Sequence, residues 1–353
     1  MLSNKEKTRL QHFSYRFKIA RKMAGLSMED LVNEAGNVVS RQAVSKYEKG
    51  IMRPAPEVLK KLADAMHVKP DFFDKGWKMD LIHLQFRQKS KLPRKEEEAL
   101  KFKTINYLGY SCELESKLGM EKTFTNPVSD LTVKNQIDAE AAARAIRKAW
   151  SLGQMPIFNL LELLEDQGIK IFLTTAGDDF DGVTARNLQC HVMILNKNRP
   201  LDRLRFTAAH ELAHILFDFD YSIGHEEGLC HSFAGAFLLP GEALVNLIGP
   251  KRRKISFWEW QHIKELYGIS MQASIHRAYE LEIISKNYFH NLMKMMRKKG
   301  WHRYEPFIYD GQEKAVRLKR LMAFALTEKI ISREDAGEIG SRFLKDSDLQ
   351  DIL

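Results

Sequence analysis

The stretch RFTAAHELAHILF, residues 205–217, constrains this chain more than any other. Its apolar residues keep a helical period, yet His210, Glu211 and His214 sit among Phe206, Ala209, Leu212, Ala213 and Ile215. A helix this apolar must be buried, and burying two imidazoles and a carboxylate without partners costs several kcal/mol. Four residues apart, the histidines stand on one face of the helix one turn apart, and Glu211 is turned about 100° from His210. Two imidazoles so placed can share one Zn2+, and the neighbouring carboxylate can act as general base on a water that the metal holds. Whatever fold buries this helix is expected to close it around a metal.

A tetrahedral catalytic site needs a third protein ligand and keeps its fourth position open. The next helical stretch, HEEGLCHSFAGAFLLP at 225–240, puts Glu227 and His231 four residues apart on one face. Glu227 is the preferred third ligand, with Glu226, His225 and His231 as alternatives. His231 otherwise serves to orient a ligand. Tyr221, His225 and His231 are the candidates for steadying a developing oxyanion.

A chain of 353 residues is expected to form two or three domains. Residues 1–75 read as short helices: FSYRFKIARKMAG ends at Gly25, Ser27 caps the next, Ser40 caps RQAVSKYEKG, and Pro56 opens a fourth. Residues 76–137 read as a helical linker that feeds a long helix at about 94–118. Residues 138–297 form a second domain, with helices at 138–150 and 156–168. Short strands follow at 169–175, 181–187 and 191–196, and helices run from Pro200 to about 297. Residues 298–353 are a helical tail with two small helices after residue 310. The segment 263–285 has helix–Gly–helix shape and is expected to pack beside the second core. The run KRRK at 251–254 reads as a solvated loop. No apolar run approaches the ~18 residues of a membrane span, and MLSNKEKTRLQHF lacks the apolar core of a signal peptide. Three irregularly spaced cysteines suggest a reducing cytoplasm and no disulfide framework.

Charge separates the two ends. Residues 1–105 hold 23 Lys and Arg against 13 Asp and Glu, while the rest of the chain is close to neutral. Charge alone favours a solvated basic surface, and a basic segment on a neutral body also suits a polyanionic partner such as duplex DNA. In SRQAVSKYEKG, residues 40–50, Ser40, Arg41, Gln42, Ser45 and Lys46 offer groups to base edges and phosphates, and Ala43, Val44 and Tyr47 supply an inward face.

These motifs carry two resemblances. SRQAVSKYEKG resembles the recognition helix of the Xre/Cro-type helix-turn-helix family, although NEAGNVVS makes the turn before it about two residues longer than usual. RFTAAHELAH followed by E-x-x-C-H-x-F-A-G-A-F-L-L-P is similar to the ImmA/IrrE family of zinc metallopeptidases, over about 140–290. In that family a glutamate stands six residues before the phenylalanine, which falls on Glu227. Two positions depart from the pattern: the residue three after the glutamate, usually Ala, is Cys230, and the residue four after it, often Asn or Asp, is His231. Either could enter the ligand set. The resemblance implies a multidomain chain: an all-α helix-turn-helix domain, then an α+β zincin-like metallopeptidase domain whose sheet sets its edge strand above the site helix, then a small helical tail. It implies Zn2+ (Mn2+ as an alternative) on His210, His214 and Glu227, with Glu211 as catalytic base. The function expected is a DNA-binding regulator with zinc-dependent endopeptidase activity toward another regulatory protein, such as a helix-turn-helix repressor or a co-encoded regulator. The other reading is a transcriptional regulator or antitoxin whose peptidase-like domain senses a metal or a partner without proteolysis.

Overall fold

Serine and asparagine caps set the helix boundaries along much of the chain. The computed structural model describes residues 4–74, 85–86, 92–186, 190–217 and 226–353. They divide into two units, one of 4–74, 92–121 and 318–353, the other of 85–86 and 122–317. The segments expected as a linker (76–137) and a tail (298–353) are thus shared between the units.

The first unit opens with α1 (Asn4–Met23), α2 (Met28–Glu34), α3 (Arg41–Glu48) and α4 (Pro56–Ala65), closed by a single 3-10 turn at Pro70–Phe73. Ser27 and Asp30 form a reciprocal capping box on α2, and Ser40 caps α3 through the Ala43 N–H at 3.2 Å. Between α2 and α3 the chain turns through Gly36 and Asn37, both at positive φ. Such backbone suits glycine and asparagine, so the long turn has the residues it requires. Phe13, Phe17, Val44, Leu62, Phe72 and Phe73 fill the core. A buried pair locks α3 to α1: Glu48 takes the Arg21 guanidinium through both carboxylate oxygens, at 2.5 and 3.0 Å. The long helix α5 (Arg94–Leu118) lies on α1, where fully buried Arg16 donates to the Phe72 carbonyl, Asn106 and the Tyr110 hydroxyl.

The second unit contains β1 (Gln85–Phe86), α6 (Gln136–Ala149) and α7 (Leu160–Asp166), then β2 (Lys170–Thr174), β3 (Gly182–Arg186) and β4 (His191–Asn196). Helix α7 is shorter than the expected 156–168, because Asn159 caps it through the Glu162 N–H. The strands lie in the order β1-β3-β4-β2, with β2 parallel to β4 and β3 antiparallel to it. After the sheet come α8 (Leu201–Leu216), α9 (Glu226–Leu238), α10 (Gly241–Ile248), α11 (Phe257–Tyr267), α12 (Met271–Glu280) and α13 (Lys286–Lys298). The helix–Gly–helix segment is α11–α12. Gly268 joins them at positive φ, and Ile263, Ile269, Ile275 and Ala278 are buried as expected, whereas Leu266 is exposed. The C-terminal stretch forms three helices rather than two, α14 (Arg317–Thr327), α15 (Arg333–Phe343) and α16 (Asp346–Gln350). Phe343 packs against Tyr107 and Tyr110 of α5 in the first unit. Among the described residues no single helix is long and apolar enough to cross a membrane.

Three buried arginines hold the second unit. Arg205 on α8 donates to the carbonyls of Gly268 (3.1 Å), Ile157 (2.8 Å) and Tyr267 (3.3 Å) and pairs with the buried Glu313 carboxylate. Arg147 on α6 donates to Phe237 O at 2.6 Å and to the Gly153 and Met155 carbonyls; burial lowers its pKa only to about 10, so it stays charged. Arg277 on α12 donates to Leu239 O at 3.2 Å and pairs with Glu140. Helix α9 ends at Leu238, followed by Leu239 and Pro240 rather than a glycine, and these two arginines satisfy the carbonyls at that end instead. Removing one partner of a buried charged network leaves the other uncompensated, at a cost of about 3–5 kcal/mol. Arg205→Met is therefore expected to destabilise the protein by about that amount in a denaturant titration, with Arg205→Lys recovering only part of it.

Candidate metal centre and nucleic-acid interface

Gly182 sets how closely the sheet meets α8. A Cβ there would stand 2.8 Å from Thr207 on α8 and 2.8 Å from Leu195, so only glycine permits this approach. Two residues along β3, Thr184 reaches Glu211. β3 is not the sheet edge beside the helix, because the Gln85–Phe86 backbone pairs with Ala185 and Arg186.

The donors converge where α8 and α9 cross. The Nε2 atoms of His210 and His214 lie 3.2 Å apart, with their rings at 70°. Glu227, in the first turn of α9, brings Oε2 to 3.2 Å from His210 Nε2 and Oε1 to 3.6 Å from His214 Nε2. Ligands on a tetrahedral zinc with bonds of about 2.0–2.1 Å stand about 3.3 Å apart. The spacing of these three residues therefore fits such an ion, as does the chemistry of two imidazoles and a carboxylate. His210 and His214 are buried, while Glu227 is 57% exposed, which leaves one side of the cluster open.

Glu211 is buried beside this cluster. Desolvation pushes its carboxyl up to about 7; His210 and Thr184 pull it down, and the Glu227 charge raises it. A carboxylate poised near neutrality can take and return a proton.

Cys230 and His231 occupy different sides of the histidines. Cys230 is fully buried with Sγ 3.7 Å from Nδ1 of His214, while the other ring nitrogen, Nε2, is the one that approaches His210 and Glu227. It sits where an orienting partner of a ligand histidine belongs. His231 has Nδ1 on the Glu227 carbonyl and its ring 4.6 Å from the His210 ring; burial, then His210, lower its pKa. Potential ligand atoms cluster among His210, His214 and Cys230, and among His210, Glu227 and His231; Glu226 is in neither group. Tyr221 and His225 lie outside the described residues. Spacing gave no signal for Thr184, for the Cys230 contact or for the arginines behind the helices, because each joins segments far apart in the chain.

On α3, Ser40, Arg41, Gln42 and Lys46 are exposed and Ser45 is half-buried, while Val44 and Tyr47 face the core, Tyr47 against Phe17 at 5.8 Å. Ala43, expected inward, is only half-buried. The Ser40 side chain accepts as the helix cap, so for DNA it has its hydroxyl proton to give. Arg41 lies 4.0 Å from Glu29 on α2, both exposed.

Residues 17–73 match a helix-turn-helix family model, and residues 164–279 match that of the IrrE N-terminal-like domain, a peptidase family. No curated protein matches the chain. The chain therefore carries a DNA-binding domain of Xre-like type followed by an ImmA/IrrE-like metallopeptidase-family domain, the arrangement of a regulator with a peptidase-like module. The family implies a metal, typically zinc.

Two expected outcomes follow from this geometry. Arg41→Ala and Gln42→Ala should weaken binding to the operator more than to unrelated duplex, with wild-type affinity falling steeply as salt rises in an anisotropy titration. Elemental analysis should find about one zinc per chain, lost in His210→Ala. Cys230→Ser should retain that stoichiometry with weaker affinity, by roughly 10–100-fold.

Proposed function

We propose that this chain, a DNA-binding helix-turn-helix domain joined to an ImmA/IrrE-like domain, is a regulator that hydrolyses peptide bonds in a partner regulatory protein. The observation that carries this reading is the meeting of His210, His214 and Glu227 at tetrahedral-ligand spacing beside the buried Glu211 carboxyl. His210, His214 and Glu227 hold the metal. When bound, zinc supplies Lewis acidity, bringing the pKa of water towards ~7 and polarising a peptide carbonyl.

The chain's own residues do the rest. Glu211 takes the proton of the attacking water and delivers it to the nitrogen of the leaving amine. Thr184 lies beside the Glu211 carboxylate on the sheet side and lowers its pKa. His231, with Nδ1 tied to the Glu227 carbonyl and its ring against His210, keeps the glutamate-bearing turn of α9 in register with α8 and is the described residue best placed to steady a developing oxyanion. The substrate proposed is a helix-turn-helix repressor or other co-encoded regulator, since the peptidase-like module is tethered to a domain that reads DNA.

Paired variants separate base from ligand. Glu211→Gln is nearly isosteric and cannot accept a proton at neutral pH. It should keep metal and fold while cleavage of the co-encoded regulator falls by roughly 10²–10⁴. Glu227→Gln should instead release metal on dialysis. Loss of metal in the first variant, with metal and activity kept in the second, would reverse the roles. A metal-loaded wild type that cleaves no regulator would leave a metal or partner sensor.

A further inference from the structure

We propose that the second unit has a surface for single-stranded nucleic acid, built from residues 251–258 and 297–303 and separate from both the metal centre and α3. Neither segment is conspicuous alone, but the fold joins them. The ring of Phe257, at the start of α11, meets that of Trp301, just after α13, edge-on at 5.3 Å. The Lys299 ammonium lies over Trp301 at 4.4 Å and 5.7 Å from the Phe257 ring centre. Trp258 is 69% exposed and parallel to His262 one turn along α11, their rings at 1° and 5.4 Å. An indole is thus open to solvent next to Phe257, the ring through which residues 251–258 meet residues 297–303.

The charge is segregated to match. Residues 251–303 hold twelve Lys and Arg against four Asp and Glu, whereas the remainder after residue 105 holds twenty against twenty-nine. The second unit's near-neutral total therefore hides a strongly basic stretch. Within it Arg252 is paired with Glu259 and Lys251 with Glu282. Arg253, Lys254, Arg297 and Lys298 are not buried and make no ion pair among the described residues. Unpaired cations on two adjoining segments that also carry an exposed aromatic face suit a ligand that carries phosphates and bare bases together. A duplex buries its base faces and would use only the cations. An anionic bilayer would need an apolar wedge, whereas here one aromatic pair lies beneath an ammonium and the exposed indole rests on its own helix.

The test is fluorescence anisotropy of labelled oligothymidine with the full-length protein. Trp258→Ala should weaken binding about tenfold, with Trp258→Phe close to wild type. Replacing Arg253 and Lys298 by Ala together should lower the slope of log affinity against log salt by about 0.7 for each phosphate that the two side chains neutralise. The proposal is overturned if Trp258→Ala binds oligothymidine like wild type, or if Trp258 matters for anionic phosphatidylserine vesicles and not for the oligonucleotide. None of these outcomes depends on whether the protein cleaves peptides.

Discussion

Buried guanidinium groups hold the second unit in place. Arg147, Arg205 and Arg277 lie almost wholly out of solvent, and each is spent on backbone carbonyls from other segments. An arginine is always charged and offers five donors in a planar fork, so it can satisfy several carbonyls at once where no single helix could. Desolvating it is costly, and the cost is met only when most of the fork is used. Arg147 and Arg205 each donate to three carbonyls. Arg277 donates to one and lies against two carboxylates.

The candidate metal centre depends on this support. Its donors come from two helices, and only the relative position of those helices brings Glu227 to the two histidines. Arg205 fixes α8 to the loop after α11, while Arg147 and Arg277 hold the C-terminal end of α9 at Phe237 and Leu239. A ligand set assembled before the ion arrives loses less conformational freedom on binding. The sheet supplies the fourth wall: a glycine on β3 lets the strand approach α8, and Thr184 then reaches the buried Glu211. The first unit uses the same device on a smaller scale, where the Arg21–Glu48 pair holds α3 by its buried end while Arg41 and Gln42 stay exposed.

Much of this was legible in the chain itself. The spacing of His210, Glu211 and His214 on an apolar helix required a buried polar partner, and helical periodicity put Glu227 and His231 on one face of the next helix. Serine caps and alternating runs marked the helices of the first unit and the three strands at 170–174, 182–186 and 191–196 closely, because caps and hydrophobic period are local properties. Helix α7 and the C-terminal helices were less well marked, since Asn159 cut one short and the last residues divide into three short turns of helix.

The sequence thus singled out the candidate metal ligands and the candidate DNA-contacting residues, because those capacities follow from side-chain type and spacing along one helix. Tertiary structure decided which of the nearby donors meet. It put Cys230 on Nδ1 of His214, His231 on the Glu227 carbonyl and Thr184 on Glu211. It also brought Phe257 to Trp301, with the Lys299 ammonium over the indole. Each of these contacts joins groups whose relation depends on how helices cross and where a sheet lies. That is fixed by burial and by carbonyls shared among distant arginines, and no local pattern encodes it.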